Sequence, residues 1–255
     1  MAAGFQGHPP AGIEGEPDAL RPERTLLIGL IAGLIAGVLG WLGGEAFHEY
    51  FPPVSRQVVA MGGSATSVSD GAAVANAGTK NSVVAFGLAG ASLGLCLGLA
   101  GSAGRVSVKA GLAGLVIGGL TGAIAARAFV PAFWAFWYGR KDGSFDPDGM
   151  LFPMLVNAGV WAAIGTAGGL SFAIGHGRGR STWPQFALAG LVGGVAGAVT
   201  FEVASALLFS TVKMMHPIPP TPQARLMARL LLALFVAGAV TLASVPRRTK
   251  TAVVS

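Results

Sequence analysis

Charge is what this chain has least of. Asp, Glu, Lys and Arg make up 11% of it, against about 25% in soluble domains. That leaves too few ionised side chains to cover a water-facing surface. Cysteine occurs once, as Cys96 within an apolar run, so no intramolecular disulfide can form, and its role reads as that of a small packing residue. The histidines His8, His48, His176 and His216 all lie in tails or between apolar runs. There is no P-loop, dinucleotide fingerprint, HExxH or CxxC, and no cofactor or metal is expected. Acidic residues, at 11, are outnumbered by 17 basic ones, for a net charge of +6. In a soluble protein that surplus would suggest nucleic acid. Here the basic residues flank apolar segments, as membrane topology requires, and no nucleic-acid partner is read.

Apolar residues and glycine are abundant: 53% of the 255 residues are hydrophobic, 40 are Gly, and mean hydropathy is +0.65. Arginine outnumbers lysine in an Ala- and Gly-rich background, a bias typical of GC-rich bacterial coding. Six apolar runs stand out, roughly 26–46, 82–101, 108–130, 151–174, 184–210 and 226–245. Each is long enough to cross the hydrocarbon core at about 1.5 Å per residue. The predicted fold class is an all-α membrane protein, a six-helix bundle of three Gly-rich hairpins. Its predicted parts are a disordered cytoplasmic tail over 1–24, a transmembrane domain over 25–246 and a short basic cytoplasmic tail over 247–255. The connection over about 47–81 is Ser/Ala/Gly-rich and predicted to be flexible.

The segments after the second and fourth runs are short and basic, carrying Arg105 and Lys109, then Arg178 and Arg180. They lie on the side of both termini. Short basic loops mark the cytoplasm, so both termini are predicted to be cytoplasmic, in a bacterial cell membrane. Arg225 and Arg229 precede or open the last run on the opposite side and run against that count. Aromatic residues crowd the opposite side, from Phe133 to Tyr138, as in an interfacial belt.

The odd-numbered runs resemble one another. Gly33-Leu-Ile-Ala-Gly37-Val-Leu-Gly40 aligns without gaps on Gly190-Leu-Val-Gly-Gly194-Val-Ala-Gly197, and Glu45 then falls on Glu202. With one inserted residue, the third run places Arg127 at the same position. Ionisable residues within a bilayer are costly and normally face the protein interior or water. Glu45, Arg127 and Glu202 are therefore the candidate buried charge cluster. They read either as a structural ion pair fixing helix register or as an ion or proton pathway, with the structural role favoured.

Glycines recur at four-residue spacing, which places them on one helix face. Gly33 and Gly37, Gly94 and Gly98, Gly114 and Gly118, and Gly190 and Gly194 are the candidate packing residues. Small residues let backbones approach where burial alone gives helices little reason to associate. These rows fit contacts within one chain, between copies, or with a membrane partner.

Two resemblances follow. Gly169-Leu170-Ser171-Phe172 resembles the G-x-S-x of rhomboid intramembrane proteases, which pair their serine with a histidine in a sixth helix. No histidine lies in the last run here, so Ser171 reads as packing. The alternation of "GLAGASLGLCLGLAGSAGR" and "KAGLAGLVIGGLTGAIAARAF" resembles bacterial multi-pass membrane regions of glycine-zipper hairpins, a group that implies no residue-level function. Asp146-Pro147-Asp148-Gly149, with Asp142 before it, lacks the register of a calcium loop and reads as a turn. The expectation from sequence is a non-enzymatic protein packing with itself or a partner in the lipid bilayer. The alternative is a small-solute or ion channel or transporter using the charged trio.

Overall fold

The computed structural model describes residues 22–59, 65–102, 107–139, 151–177, 179–209 and 217–245. The six apolar runs form helices: α1 (Pro22–Ala46), α2 (Gly71–Gly101), α3 (Val108–Gly139), α4 (Leu151–His176), α5 (Trp183–Leu208) and α6 (Pro222–Ser244). All six are long and apolar enough to cross a membrane. In lipid every backbone polar group must be satisfied within the protein, and a helix does this within one segment. The chain is a multi-pass membrane protein of the all-α class.

Neighbouring helices close a ring, α1 against α2, α2 against α3, and so on to α6 against α1. The even helices also meet one another inside that ring, most closely α2 with α4. Gly168 of α4 marks the meeting point: a Cβ there would touch Leu93 and Leu97 of α2 and Val236 of α6 at 3.2–3.3 Å. Around it Ile164, Phe172, Leu232 and Val240 are fully buried. The odd helices stand outside. Their large apolar residues, such as Ile31 and Leu42 of α1, Leu120 and Ile124 of α3, and Val203 and Leu207 of α5, are exposed, whereas α2 exposes none. Such surfaces would drive aggregation in water but match acyl chains in a bilayer.

Helix packing runs through small residues. In the α2–α3 contact, a Cβ on Gly90 would run into the carbonyl of Gly118, one on Gly94 into that of Gly114, and one on Gly98 into that of Ala110. Gly165 and Gly190 do the same between α4 and α5, where Gly194 lies against the Trp161 carbonyl. Gly33 and Gly37 of α1 lie against the Ala233 and Arg229 carbonyls of α6. Every one of these approaches is made within a single chain.

The segment between α1 and α2 differs from its expectation as a flexible connection. It holds an antiparallel hairpin of β1 (Ser55–Val59) and β2 (Ala65–Ser69), with Ser55 opposite Ser69. α2 then starts at Gly71 rather than at 82, about three turns earlier. Asp70 caps it, its carboxylate accepting from the Ala72 N–H at 3.5 Å. Those early turns are covered by the end of α3, where Tyr138 lies against Gly71 and Trp134 against Gly78. The Asn81 side chain exchanges two hydrogen bonds with the Phe51 backbone, 2.9 and 3.0 Å, and ties the exit of α1 to α2. α3 runs through Pro131 to Gly139, past the expected end at 130. Helix α6 opens at Pro222, before 226, with Thr221 accepting from the Ala224 N–H. Most of the predicted N-terminal tail, the C-terminal tail and Asp142, Asp146 and Asp148 lie outside the described residues.

Candidate functional site

Ionisable side chains gather where α1 ends and α6 begins, on the side away from the termini. Pro219 and Pro220 lead into α6, followed by Thr221 as N-cap and Pro222 in the first turn. Proline suits that position because its missing N–H would be unpaired there anyway. The two prolines donate nothing themselves but leave their carbonyls free to accept. Arg225, in the first turn, donates from Nη1 to both carbonyls, at 3.1 and 3.0 Å. Its Nε and Nη2 donate to Oε1 and Oε2 of Glu45 at 2.5 and 2.8 Å. This fork-to-fork pairing is the strongest geometry a carboxylate and a guanidinium can adopt. Arg225 is buried and the Glu45 side chain is one-quarter exposed.

Arg229 follows one turn later on the same face of α6. It is 8% exposed. Its guanidinium carbon lies 4.8 Å from the centre of the Phe86 ring, a cation–π contact. Among the described residues no carboxylate pairs with it and no side chain or carbonyl accepts from it. Two buried cations thus share the single carboxylate of Glu45, which Arg225 already holds with both oxygens.

Two cavities meet at these arginines. The larger, about 240 Å³, is bordered by Trp41, Glu45, Asn81, Ser82 and the two arginines. The smaller, about 20 Å³, lies toward α4 and α5, with Asn157, Glu202 and Trp161 in its wall, and again Arg225 and Arg229. Glu202 accepts a hydrogen bond from Asn157 Nδ2 at 3.1 Å. The arginines therefore form a partition with Glu45 on one side and Glu202 on the other. At the rim the chain leaves α1 through Glu49, whose φ of 56° is in the left-handed region, a conformation uncommon outside glycine.

The trio expected from the repeat is not brought together. Glu45 pairs with Arg225 of α6, and Glu202 bonds Asn157 of α4. Arg127 is exposed and lines a separate groove of about 840 Å³ with Asp70, Lys80, Trp134 and Tyr138. Each of the three residues sits where an odd helix meets the even helix before it in the ring. Placed on three different outer helices, they are distributed around the bundle and do not converge. The cation that compensates Glu45 comes instead from α6, from Arg225, which the predicted bounds leave just outside the last run. Ser171 is buried and donates to the Ala167 carbonyl at 2.7 Å, as a packing serine does.

No family model matches this chain, and comparisons with curated proteins and with solved structures find no match.

Proposed function

We propose that the chain handles a small solute in the membrane, as a channel or transporter whose working end is the vestibule between α1, α2 and α6. One observation carries this reading: two buried arginines form the wall between two cavities, each with a glutamate of its own. Ionisable groups in a transmembrane bundle are expensive and mark solute pathways or proton relays far more often than decoration. Four of them at one end exceed what fixing helix register requires. The expectation of a scaffold that packs with itself or a partner drew its support from the glycine rows, and those rows meet partners inside the chain. The proposal gives the protein no catalytic role, and it keeps the resemblance to bacterial glycine-zipper hairpins, arranged as three repeats, as its evolutionary setting.

Proteoliposomes test the reading. Reconstituted full-length protein should release or take up labelled small solutes faster than protein-free vesicles. Arg225→Met should reduce that rate, because it removes one of the two cations that border both cavities. Wild-type vesicles as tight as empty ones toward inorganic ions, carboxylates and amines would return the scaffold reading to first place.

We also propose that both termini face the cytoplasm, which puts the vestibule on the outer side. The short basic segments around Lys109 and Arg180 support this. Cysteines introduced at Ser67 and at Ser181, in a chain with Cys96 replaced, should differ in labelling. An impermeant thiol reagent applied to intact cells should mark position 67 and spare 181. The reverse pattern would invert the orientation.

A further inference from the structure

We infer that the larger cavity is an anion site, built for a small planar carboxylate or an oxyanion of the same shape, with Arg229 and Ser82 as the residues that hold it. This rests on the solute-handling reading and names its solute class.

The argument begins with donors. Arg229 is 8% exposed and borders the cavity, and its hydrogen-bond donors have no acceptor among the described residues. Guanidinium donors lie in the plane of the group and aim at its edge. The Phe86 ring, 4.8 Å from the guanidinium carbon, offers the cation a π-face but no lone pair, so it leaves the group's hydrogen-bonding capacity for a ligand. Ser82 of α2 is 1% exposed, borders the same cavity and bonds no described residue. Most buried helical serines return their hydroxyl to a carbonyl one turn back, and Ser171 does so here.

Charge points the same way. Within the larger cavity the buried carboxylate beside Arg225 and Arg229 is that of Glu45, and Arg225 engages both of its oxygens. Glu202 borders only the smaller cavity. His48 and Glu49 are at the rim, 4.0 Å from each other, and Glu49 is largely exposed. Neither glutamate accepts from Arg229, and a buried guanidinium without an acceptor draws one. The molecule also displays the shape that satisfies such a group. Arg225 receives a carboxylate bidentately from Glu45. Arg229, one turn along the same face, borders the cavity with a guanidinium of the same shape. About 240 Å³ accommodates an acetate-sized ion together with water.

Equilibrium dialysis of the purified full chain against radiolabelled acetate, with nitrate and chloride as competitors, is the test. Wild type should bind acetate saturably at one ion per chain. Nitrate, planar and oxyanionic, should compete at similar concentrations, and spherical chloride about tenfold more weakly. Arg229→Gln should weaken acetate binding about ten- to a hundredfold, and Ser82→Ala by about three- to tenfold. Arg229→Lys should keep some binding but lose the preference for nitrate over chloride, because an ammonium has no fork. If Arg229→Gln does not fold, Ser82→Ala and Arg229→Lys decide the matter. No saturable acetate binding by folded wild type would overturn the inference, as would Ser82→Ala and Arg229→Lys both binding like wild type. Saturable binding of radiolabelled sodium, abolished by Glu45→Gln and with no acetate bound, would overturn the anion class while leaving solute handling in place. Acetate binding without any flux in proteoliposomes would support the site and sink the transport reading.

Discussion

Leucine at position 118 should destabilise the bundle by about 3 kcal/mol or more, the upper end of what overpacking costs. A single Cβ on Gly118 already runs into the Gly90 carbonyl, and a Cβ on Gly90 into that of Gly118. The obstacle is backbone and cannot rotate aside, so α2 and α3 must separate. Separation loses the dispersion contacts that hold helices together where lipid tails are as apolar as any side chain. The same reasoning covers Gly194→Leu, which meets the Trp161 carbonyl between α5 and α4. Leu115→Ala, one turn from Gly118 but on an exposed face, should lie within about 0.5 kcal/mol of wild type. Thermal unfolding in detergent measures all three. If Gly118→Leu melts with wild type, the two backbones are not in contact.

Some of this was legible in the sequence for a simple reason. Hydropathy reads what lies in hydrocarbon, and all six helices cross it. It does not read helices that extend beyond it. Residues 71–81 of α2 include Asn76, Thr79, Lys80 and Asn81 and average too polar for a span, yet they are helical because α3 covers them with Trp134 and Tyr138. The hairpin had a signal, Gly62 and Gly63 within a short connection between two runs that carry β-branched residues, which is one way a hairpin is written. It was masked by the reading of the whole segment as a linker.

The charged site was half legible. Glu45 and Glu202 stand out as acids at the ends of apolar runs, and both are in the wall of a cavity. Arg127 was drawn in by the repeat, which fixes depth along the membrane normal but not position around the bundle. Arg225 and Arg229 were set aside as topology charges. The Thr221-Pro222 pair is an N-cap followed by a first-turn proline, and reading it would have moved Arg225 inside α6 with Arg229. Their four-residue spacing then places them on one face. Which helix that face meets depends on the ring closing α6 against α1, a long-range contact that local pattern does not encode.

Arg225 therefore gives the second large effect. Arg225→Met should cost about 3 kcal/mol, the low end of the 3–5 range for breaking a buried pair, because Glu45 is one-quarter exposed and recovers some hydration. It also strips the Pro219 and Pro220 carbonyls of their donor and loosens the entry to α6. Glu45→Gln removes charge but keeps an acceptor, so its direct loss is smaller. It nevertheless leaves Arg225 and Arg229 one turn apart on a buried face with no carboxylate between them. Added salt should offset part of the loss in Glu45→Gln and little of it in Arg225→Met, since an anion can stand in for the missing carboxylate but nothing replaces the fork. The double variant Glu45→Leu with Arg225→Leu should be more stable than Arg225→Met, because no buried charge of the pair is then left alone. Arg127→Leu, on an exposed face without an ion pair among the described residues, should change stability by about 0.5 kcal/mol or less. Thermal or chemical denaturation of the four variants in one detergent gives the comparison. A neutral Arg225→Met beside a costly Arg127→Leu would mean that the cation compensating Glu45 belongs to α3, as depth in the repeat suggests, and not to α6.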